Sequence, residues 1–561
     1  MFKSLNIIHS IPRRSPHPHE SPSHPRHVDR FAAPEGNPVT IDVLRRVVKD
    51  HLPGVSFSPR DEQDYLLLLQ ALHTSVDPIF ELPDYIPDPD LDRFPRKDIH
   101  VPKPEENKNK GWAMRVTVQD TQPNDGPLKG RTFAVKDNYA VAGVIANNGT
   151  PVCGDWVPKL DAEIVQRCLK AGATLLGKAS TENSSCCPSS FSSMTGPVHN
   201  PYASGRTTGG SSSGCACLVS GGEVDMALGA DQGGSIRMPA AFVGLVGLKP
   251  TVGLVPYTGI MSLDYNIDHA GPMTKNVMDN ALLLSVIAGD DGIDDRQGPG
   301  VPLKGQTPAY HKILEANAAK GVSGMKIGIL TEAFDWPLMD PRVAESVKAG
   351  ARKFAELGAT VEEVSIPRHK LAPSIWVAGM RLSSSLSLKG YQSGRRQLFL
   401  NDLQEKKFPL TQEKADNTYC AVLNLIIGGM YSWETFGPSF YGKAMNLTRE
   451  LKDMYDAKLA EYDVLITPTT PFVANTHASP SDGPIGKISK SLGQNVNTGI
   501  FNSTGHPGLS IPCGMLTPND GEGDQTVKLP VGMQLVGKLF DEQTLYQAAY
   551  AWEQAFDWKS L

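Results

Sequence analysis

Two short clusters of glycine and serine carry the residue types that acyl transfer requires. The first spans residues 209–214 (GGSSSG) and the second spans residues 233–235 (GGS), with one apolar segment between them. Glycine permits backbone conformations in which amide N–H groups face a ligand. A serine hydroxyl beside such amides supplies a nucleophile and a site for a developing oxyanion. The alternative for either cluster taken alone is a flexible turn.

A base must accompany such a serine, because its hydroxyl is nearly unreactive at neutral pH. Lys136 is the candidate, since it ends the β-prone run of residues 131–135 (RTFAV). A lysine acts as a base only when burial or nearby cations lower its pKa from about 10.4. The alternative role for Lys136 is a salt bridge with its neighbour Asp137.

These residues closely resemble the amidase signature family, the serine hydrolases that use a Ser-Ser-Lys triad. The resemblance rests on GGSSSG, on GADQGGSIRMPAAFVGLVGLKPT and on later blocks at residues 463–468, 501–508 and 529–537. It covers about residues 115–556 and is closest in appearance to enantioselective amidases. It implies that Lys136 is the base, Ser211 the proton relay and Ser235 the nucleophile.

The resemblance also implies roles for the residues around this triad. A cis peptide bond is expected before Ser211, and Ser212 is expected to support it by a hydrogen bond. Asp231 and Arg237 are expected to brace the second cluster by charged hydrogen bonds. Ser213 departs from the glycine that is more usual after the two serines. The expected oxyanion and substrate-binding residues are Gln232, Gly233, Gly234 and Ser185, together with the Ser235 amide.

The implied reaction is cleavage of the C–N bond of a small carboxylic amide to an acid and ammonia, without a metal or an organic cofactor. Carbamates, esters and anilides share the same kind of tetrahedral intermediate, so a hydrolase for one of these is the close alternative. A non-catalytic binding or assembly member of the family is a further alternative, which the intact triad disfavours. A Ser-His-Asp site using His199, His269 or His506 is disfavoured because no G-x-S-x-G motif surrounds Ser235.

The elements that must position these residues follow from the hydrophobic pattern. Strand-like runs alternate with helical ones, for example at residues 325–330, 340–358 and 360–366. This alternation predicts an α/β fold with a large, mixed and mostly parallel sheet covered by helices on both faces. The acyl pocket is expected around residues 257–268 and 376–433, whose large apolar side chains suit an aryl or branched acyl group over a charged one.

Composition bounds the class of protein. The formal charge of −6 over 561 residues is small, which argues against a nucleic-acid partner. We find no apolar run long enough to span a bilayer. The eight cysteines include no C-x-x-C pair, which argues against a zinc site. A large chain in which no signal peptide is recognised is expected to keep its thiols reduced, in the cytoplasm. The basic opening of residues 1–15 leaves a mitochondrial transit peptide as the alternative.

Three regions are predicted along the chain. Residues 1–38 form a flexible N-terminal tail, residues 39–110 form a helical extension and linker, and residues 111–561 form the catalytic domain. Helices are expected at residues 39–52 and 61–72, with a buried run at residues 66–69. The placement of this extension is similar to that of the dimerising extension of enantioselective amidases, which implies a homodimer.

Overall fold

The computed structural model describes residues 36–122, 125–303 and 305–561 of the chain. The predictions for residues 1–35 lie outside the described residues. The described residues up to Tyr85 form one compact unit, and Ile86–Leu561 form a second. The strand Arg96–His100, within the segment that we assigned to the extension and linker, belongs to the second unit and pairs with the strand Trp112–Val118.

Twelve strands of the second unit form one sheet, and two short strands pair separately. In chain order the strands are β1 Arg96–His100, β2 Trp112–Val118, β3 Thr132–Lys136, β4 Thr174–Ala179, β5 His199–Asn200, β6 Ala203–Thr207, β7 Met226–Asp231, β8 Val246–Lys249, β9 His269–Thr274, β10 Lys326–Leu330, β11 Thr360–Val364, β12 Val464–Pro468, β13 Gly508–Leu516 and β14 Leu529–Val536. The order across the large sheet is β1-β2-β4-β3-β7-β9-β8-β13-β14-β12-β10-β11.

The helices of the described residues lie between and before these strands. In chain order they are α1 Ile41–His51, α2 Pro59–Phe80, α3 Glu163–Lys170, α4 Ser213–Ser220, α5 Arg237–Phe242, α6 Val277–Ile287, α7 Tyr310–Asn317, α8 Pro341–Glu356, α9 Ala372–Leu388, α10 Asn401–Lys407, α11 Gln412–Asp416, α12 Cys420–Phe436, α13 Pro438–Glu461, α14 Pro484–Ser489, α15 Gly499–Thr504 and α16 Glu542–Ala555. None of those described is long and apolar enough to cross a bilayer.

The predicted large mixed sheet covered by helices is confirmed. All residues of β7, β9, β12 and β14 are buried. Because successive side chains of a strand point to opposite faces, both faces of the sheet are covered at these strands. Fewer neighbouring strands pair in parallel than the alternation of strands and helices in the sequence suggested. The parallel pairs are confined to β4-β3-β7 and β12-β10-β11, and the other neighbours in the sheet pair antiparallel.

Two helix starts show where local signals succeed and fail. Asp340 caps α8 by accepting the Arg342 amide, as its position before Pro341 predicts. Asp161 is also a residue type that favours an N-cap and precedes a helical run, which predicts that it caps α3. That prediction is wrong, because α3 begins at Glu163 with Ala162 as its N-cap. The Asp161 carboxylate instead pairs with Arg96 and accepts the Ala142 amide. The ion pair with Arg96, a residue of the distant strand β1, therefore takes the place of the capping hydrogen bond.

The helical extension is present, but its packing differs from the expectation. α1 matches the helix predicted at residues 39–52, and α2 includes the helix predicted at residues 61–72 but continues to Phe80. No residue of α2 is buried, so the apolar run at residues 66–69 does not lie in a core within the single chain.

Candidate active site

The ends of two neighbouring parallel strands bring the first candidate residues together. Lys136 is the last residue of β3 and Asp231 is the last residue of β7, and these strands pair directly. Parallel strands end at the same edge of a sheet, so Lys136 lies beside the loop that follows Asp231. That loop holds residues 232–235, the second glycine and serine cluster.

Lys136 is in contact with the first cluster. Its Nζ lies 2.7 Å from Ser211 Oγ and 3.4 Å from the Ala230 carbonyl oxygen, and its side chain is fully buried. Burial lowers the pKa of Lys136 from 10.5 to about 8, although the nearby Cys215, Asp231 and Glu182 act in the opposite direction. A substantial fraction of this amine is therefore neutral near pH 8, which is the state that a base requires.

The first cluster is held tightly against the end of β7. The peptide bond between Gly210 and Ser211 is cis, as the family resemblance implied. The Ser212 hydroxyl donates to the Ala230 carbonyl at 3.1 Å and accepts the Ala230 amide at 3.3 Å. The Ser212 amide donates to the Ser235 carbonyl at 3.3 Å, which ties the two clusters together. In the described part of the chain, no direct hydrogen bond joins the Ser211 and Ser235 hydroxyls.

A buried ion pair braces the second cluster. Both Asp231 and Arg237 are fully buried, and an Arg237 Nη lies 2.9 Å from the Asp231 carboxylate. The same carboxylate accepts the amides of Gly234 and Ile236 at 2.6 and 3.1 Å. Burial by itself raises the pKa of Asp231, but the charge and hydrogen bonds of Arg237 lower it well below its ordinary value. Asp231 therefore stays ionised and holds the loop in shape.

The Gly234 amide is consequently engaged by Asp231 and is not free for a ligand. Gly234 has φ +127°, and a Cβ there would lie 2.3 Å from the Thr498 hydroxyl oxygen. The Thr498 hydroxyl also donates to the Gly233 carbonyl at 2.7 Å. The indole Nε1 of Trp376 donates to the Gln232 carbonyl at 3.3 Å. Close packing from distant segments thus leaves no room for larger side chains in this loop.

The Gln232 side chain points into a second buried network. Its amide nitrogen donates to the Tyr257 hydroxyl at 2.8 Å and to Asp268 at 3.1 Å. Asp268 is in turn paired with the buried Arg296 at 2.8 Å. This network orients the Gln232 side chain, while the Asp231–Arg237 pair holds the rest of the loop.

A cavity of about 210 Å³ opens on Ser235. Ser185, Gln232 and Gly233 also line it, so the structure places these expected site residues around one space. The Ser185 hydroxyl donates to Asn148 at 2.6 Å. Most of the remaining wall is apolar and comes from Met238, Leu263, Ile267, Trp376, Val377, Met380, Ala421, Leu425, Ile488 and Leu492. Two of the contributing segments, residues 257–268 and 376–433, were expected, whereas Met238 and the segment around residues 488–495 were not.

The histidines considered for a Ser-His-Asp site have other partners. His199 Nδ1 accepts the Gly205 amide, His269 Nδ1 lies 2.9 Å from the Ile267 carbonyl, and His506 Nε2 lies 3.0 Å from Asp456. Burial lowers the pKa of all three. None of them lines the cavity on Ser235.

Glu182 is a site residue that the sequence analysis missed. Its buried carboxylate accepts the hydroxyls of Ser189, Ser192 and Ser213, the last at 3.1 Å. Burial raises its pKa to about 7, against the effect of these hydrogen bonds. The contact explains Ser213, the residue that departs from the usual glycine, because its hydroxyl anchors the first cluster to Glu182. No local sequence signal marks Glu182, since its partners lie 7 to 31 residues away.

Comparison with known proteins finds related enzymes over most of the chain. The Amidase family model matches residues 106–546. An enantioselective amidase from Rhodococcus rhodochrous is 36% identical over 471 residues, which cover 82% of this chain and 86% of the relative. The solved peptide amidase of Stenotrophomonas maltophilia is 29% identical, with a TM-score of 0.60, covering 77% of this chain and 83% of that one. A solved glutamyl-tRNA(Gln) amidotransferase subunit from Thermotoga maritima is 27% identical, with a TM-score of 0.61, covering 80% of this chain and 87% of that one.

Proposed function

The chain belongs to the amidase family and is an amide-hydrolysing enzyme, and we propose that it converts small carboxylic amides to an acid and ammonia through an acyl-enzyme on Ser235. The observation that carries this proposal is the buried contact of 2.7 Å between Lys136 Nζ and Ser211 Oγ, beside the loop that ends in Ser235. A lysine with a lowered pKa next to a serine relay can take up a proton at neutral to alkaline pH.

In the proposed reaction, the Ser235 hydroxyl attacks the amide carbonyl as its proton passes to Ser211 and the Ser211 proton passes to Lys136. The tetrahedral intermediate then collapses, and the proton returns through Ser211 to the leaving nitrogen, which departs as ammonia. Water repeats the attack on the acyl-enzyme and releases the acid. The direct hydrogen bond between the two serine hydroxyls forms in this scheme when the substrate occupies the cavity.

The oxyanion is proposed to accept hydrogen bonds from backbone amides of the second cluster. Because the Gly234 amide already donates to Asp231 at 2.6 Å, the amides of Gln232, Gly233 and Ser235 are the proposed donors. The buried Asp231–Arg237 pair supports this assignment, since a loop held rigid in advance loses no free energy to reorganisation during the reaction.

A panel of related substrates tests the proposal. Release of acid and of ammonia or amine is measured on primary amides, anilides, carbamates and esters that share one acyl group. Turnover of the amide is expected to exceed that of the carbamate, and a chelator is expected to have no effect. Preference for the carbamate or the ester would replace amide hydrolysis by the close alternative. A protein that turns over none of them and resists labelling by a fluorophosphonate would be a binding or assembly member.

A homodimer through the helical extension is a separate part of the proposal. Tyr65, Leu68, Leu72, Val76 and Ile79 of α2 are between 36% and 64% exposed. Their spacing of three and four residues puts them along one face of the helix. A continuous apolar stripe of this kind is typical of a surface covered by a partner, and a second copy of the chain supplies an identical stripe.

A reducing, cytoplasmic location is also proposed. All eight cysteines are free thiols, including the adjacent Cys186 and Cys187. Burial raises the pKa of the Cys186 thiol to about 12, which keeps it protonated and unreactive. Free and inert thiols support the reduced state expected inside a cell.

A further inference from the structure

The cavity on Ser235 contains one charged side chain among its described lining residues. That side chain is Arg381 of α9, which is partly buried. The walls beside it are apolar, including Val377 and Met380 of the same helix and Leu425 of α12. Opposite charges attract each other more strongly across an apolar space than across water. The position of this single cation therefore affects which ligands the cavity binds.

Arg381 has a fixed orientation and an unneutralised charge. Its Nη1 donates to the Asn424 carbonyl at 2.9 Å, which holds the guanidinium at the cavity wall. A guanidinium has five N–H donors, so this contact leaves donors for a ligand. Within residues 36–122, 125–303 and 305–561, no carboxylate forms an ion pair with Arg381. A charge that the protein itself does not pair is available to a bound anion.

Along α9, this cation is separated from the residue that contacts the second cluster. Trp376 touches the Gln232 carbonyl at the second cluster, and Arg381 follows five residues later on the same helix. Five residues advance about 7.5 Å along a helix axis. The side chains between them that line the cavity, Val377 and Met380, are apolar. A ligand reaching from Ser235 to Arg381 therefore needs an apolar spacer and an anionic end.

We infer that Arg381 is a specificity-determining residue that selects amides carrying a carboxylate at the far end of an apolar spacer. The inference rests on the proposed amide hydrolysis at Ser235, and it replaces the expectation that the pocket suits an aryl or branched acyl group over a charged one. The carboxylate accepts hydrogen bonds from the Arg381 guanidinium, the spacer lies against Val377 and Met380, and the amide carbonyl lies at Ser235. The planar guanidinium matches a carboxylate better than an ammonium does.

Two matched substrate series test the inference. One consists of the monoamides of linear dicarboxylic acids of increasing length, and the other consists of alkyl amides with the same number of heavy atoms. The wild-type enzyme is expected to prefer the carboxylate series at one spacer length. Arg381→Gln is expected to lower kcat/KM for that substrate about tenfold or more relative to kcat/KM for the alkyl amide, mainly through KM. Arg381→Lys is expected to recover part of the loss, and Arg352→Gln, which removes an exposed arginine of α8, is the matched control.

Equal losses on both series, or a wild-type preference for the alkyl amides, would overturn the inference and leave amide hydrolysis intact. Binding in the Ser235→Ala background separates the two claims. Calorimetric binding of the carboxylate amide is expected there and is expected to weaken about tenfold when Arg381→Gln is added. Binding that is unaffected by Arg381→Gln would also overturn the inference. If the wild-type enzyme binds the carboxylate amide through Arg381 but cleaves neither series, the proposed function is contradicted and the inference about Arg381 is not.

Discussion

Lys178, and not Lys136, forms the ion pair with Asp137, with 2.8 Å between Lys178 Nζ and Asp137 Oδ1. Both side chains are fully buried, and Asp137 also accepts the amides of Asn147 and Asn148. Burial raises the pKa of Asp137 and lowers that of Lys178, while their attraction acts against both changes. The salt bridge that was the alternative role for Lys136 is therefore made by another lysine. Lys136 is left in contact with Ser211.

The pH dependence of the reaction follows from the state of Lys136. Because the base must be neutral, kcat/KM is expected to rise with pH through an apparent pKa of about 8 and to fall as Lys136 becomes protonated below it. Lys136→Ala is expected to remove most activity, and also the rise of kcat/KM with pH. Lys136→Arg, which stays protonated at every accessible pH, is expected to be inactive. Assays of ammonia release between about pH 6 and 10 measure how kcat/KM depends on pH. If kcat/KM of Lys136→Ala still rises with pH through the same apparent pKa, another residue is the base.

Substitution of Ser235, the proposed nucleophile, is expected to abolish both turnover and covalent labelling. Ser235→Ala is expected to lower turnover by about a thousandfold or more and to abolish fluorophosphonate labelling. Ser220→Ala is the matched control, since Ser220 ends α4 and its hydroxyl donates to the Val243 carbonyl at 3.0 Å. The control is expected to keep full activity and labelling. Intact labelling of Ser235→Ala, read by mass spectrometry of the modified peptide, would show that another residue is acylated.

The Asp231–Arg237 pair is expected to support stability as well as catalysis. Arg237→Leu leaves the Asp231 carboxylate buried without its cation, which costs about 3–5 kcal/mol of unfolding free energy. Arg352→Leu, which breaks an exposed pair of 3.5 Å with Glu345, is expected to cost about 1 kcal/mol or less. Urea unfolding followed by tryptophan fluorescence compares the two variants. Equal midpoints would mean that the buried pair contributes no more than an exposed one.

Gly234 is expected to tolerate no side chain. Gly234→Ala places a Cβ 2.3 Å from the Thr498 hydroxyl oxygen at a φ of +127°, so both packing and backbone conformation are disturbed. The variant is expected to lose most activity, with a clear loss of thermal stability. Gly205→Ala is the control, because Gly205 has φ +83° and open space around it. That control is expected to cost about 1 kcal/mol from the backbone alone, with activity retained; comparable losses of activity in both variants would contradict the prediction.

The apolar stripe of α2 predicts the oligomeric state. The full chain is expected to scatter light as a homodimer, and Leu72→Lys is expected to shift it to a monomer. Leu72 is 57% exposed, so a lysine there does not disturb the interior of the chain. Glu81→Lys, at the C-terminal cap of the same helix, introduces a lysine outside the stripe and is expected to leave the dimer intact. A monomeric wild-type chain would remove the dimer and leave the active-site predictions standing.

Local patterns in the sequence were sufficient to predict the class of enzyme and several of the elements. The clusters at residues 209–214 and 233–235, together with Lys136, are short motifs in which neighbouring residues share one loop or strand end. The strands β3 and β10 and the helix α8 were predicted for the same reason, since hydrophobic periodicity and an N-cap such as Asp340 act within a few residues. Family membership also followed from these motifs.

Only the tertiary structure decided what surrounds the motifs. Trp376 reaches the Gln232 carbonyl across 144 residues, and Thr498 reaches the Gly233 carbonyl across 265. The partner of Asp137, the anchoring of Ser213 by Glu182 and the cation at Arg381 depend in the same way on how strands and helices meet. Local propensity determines which element a segment forms. The side chains that face one another across the cavity are determined by sheet order and helix packing, which a short stretch of sequence does not encode.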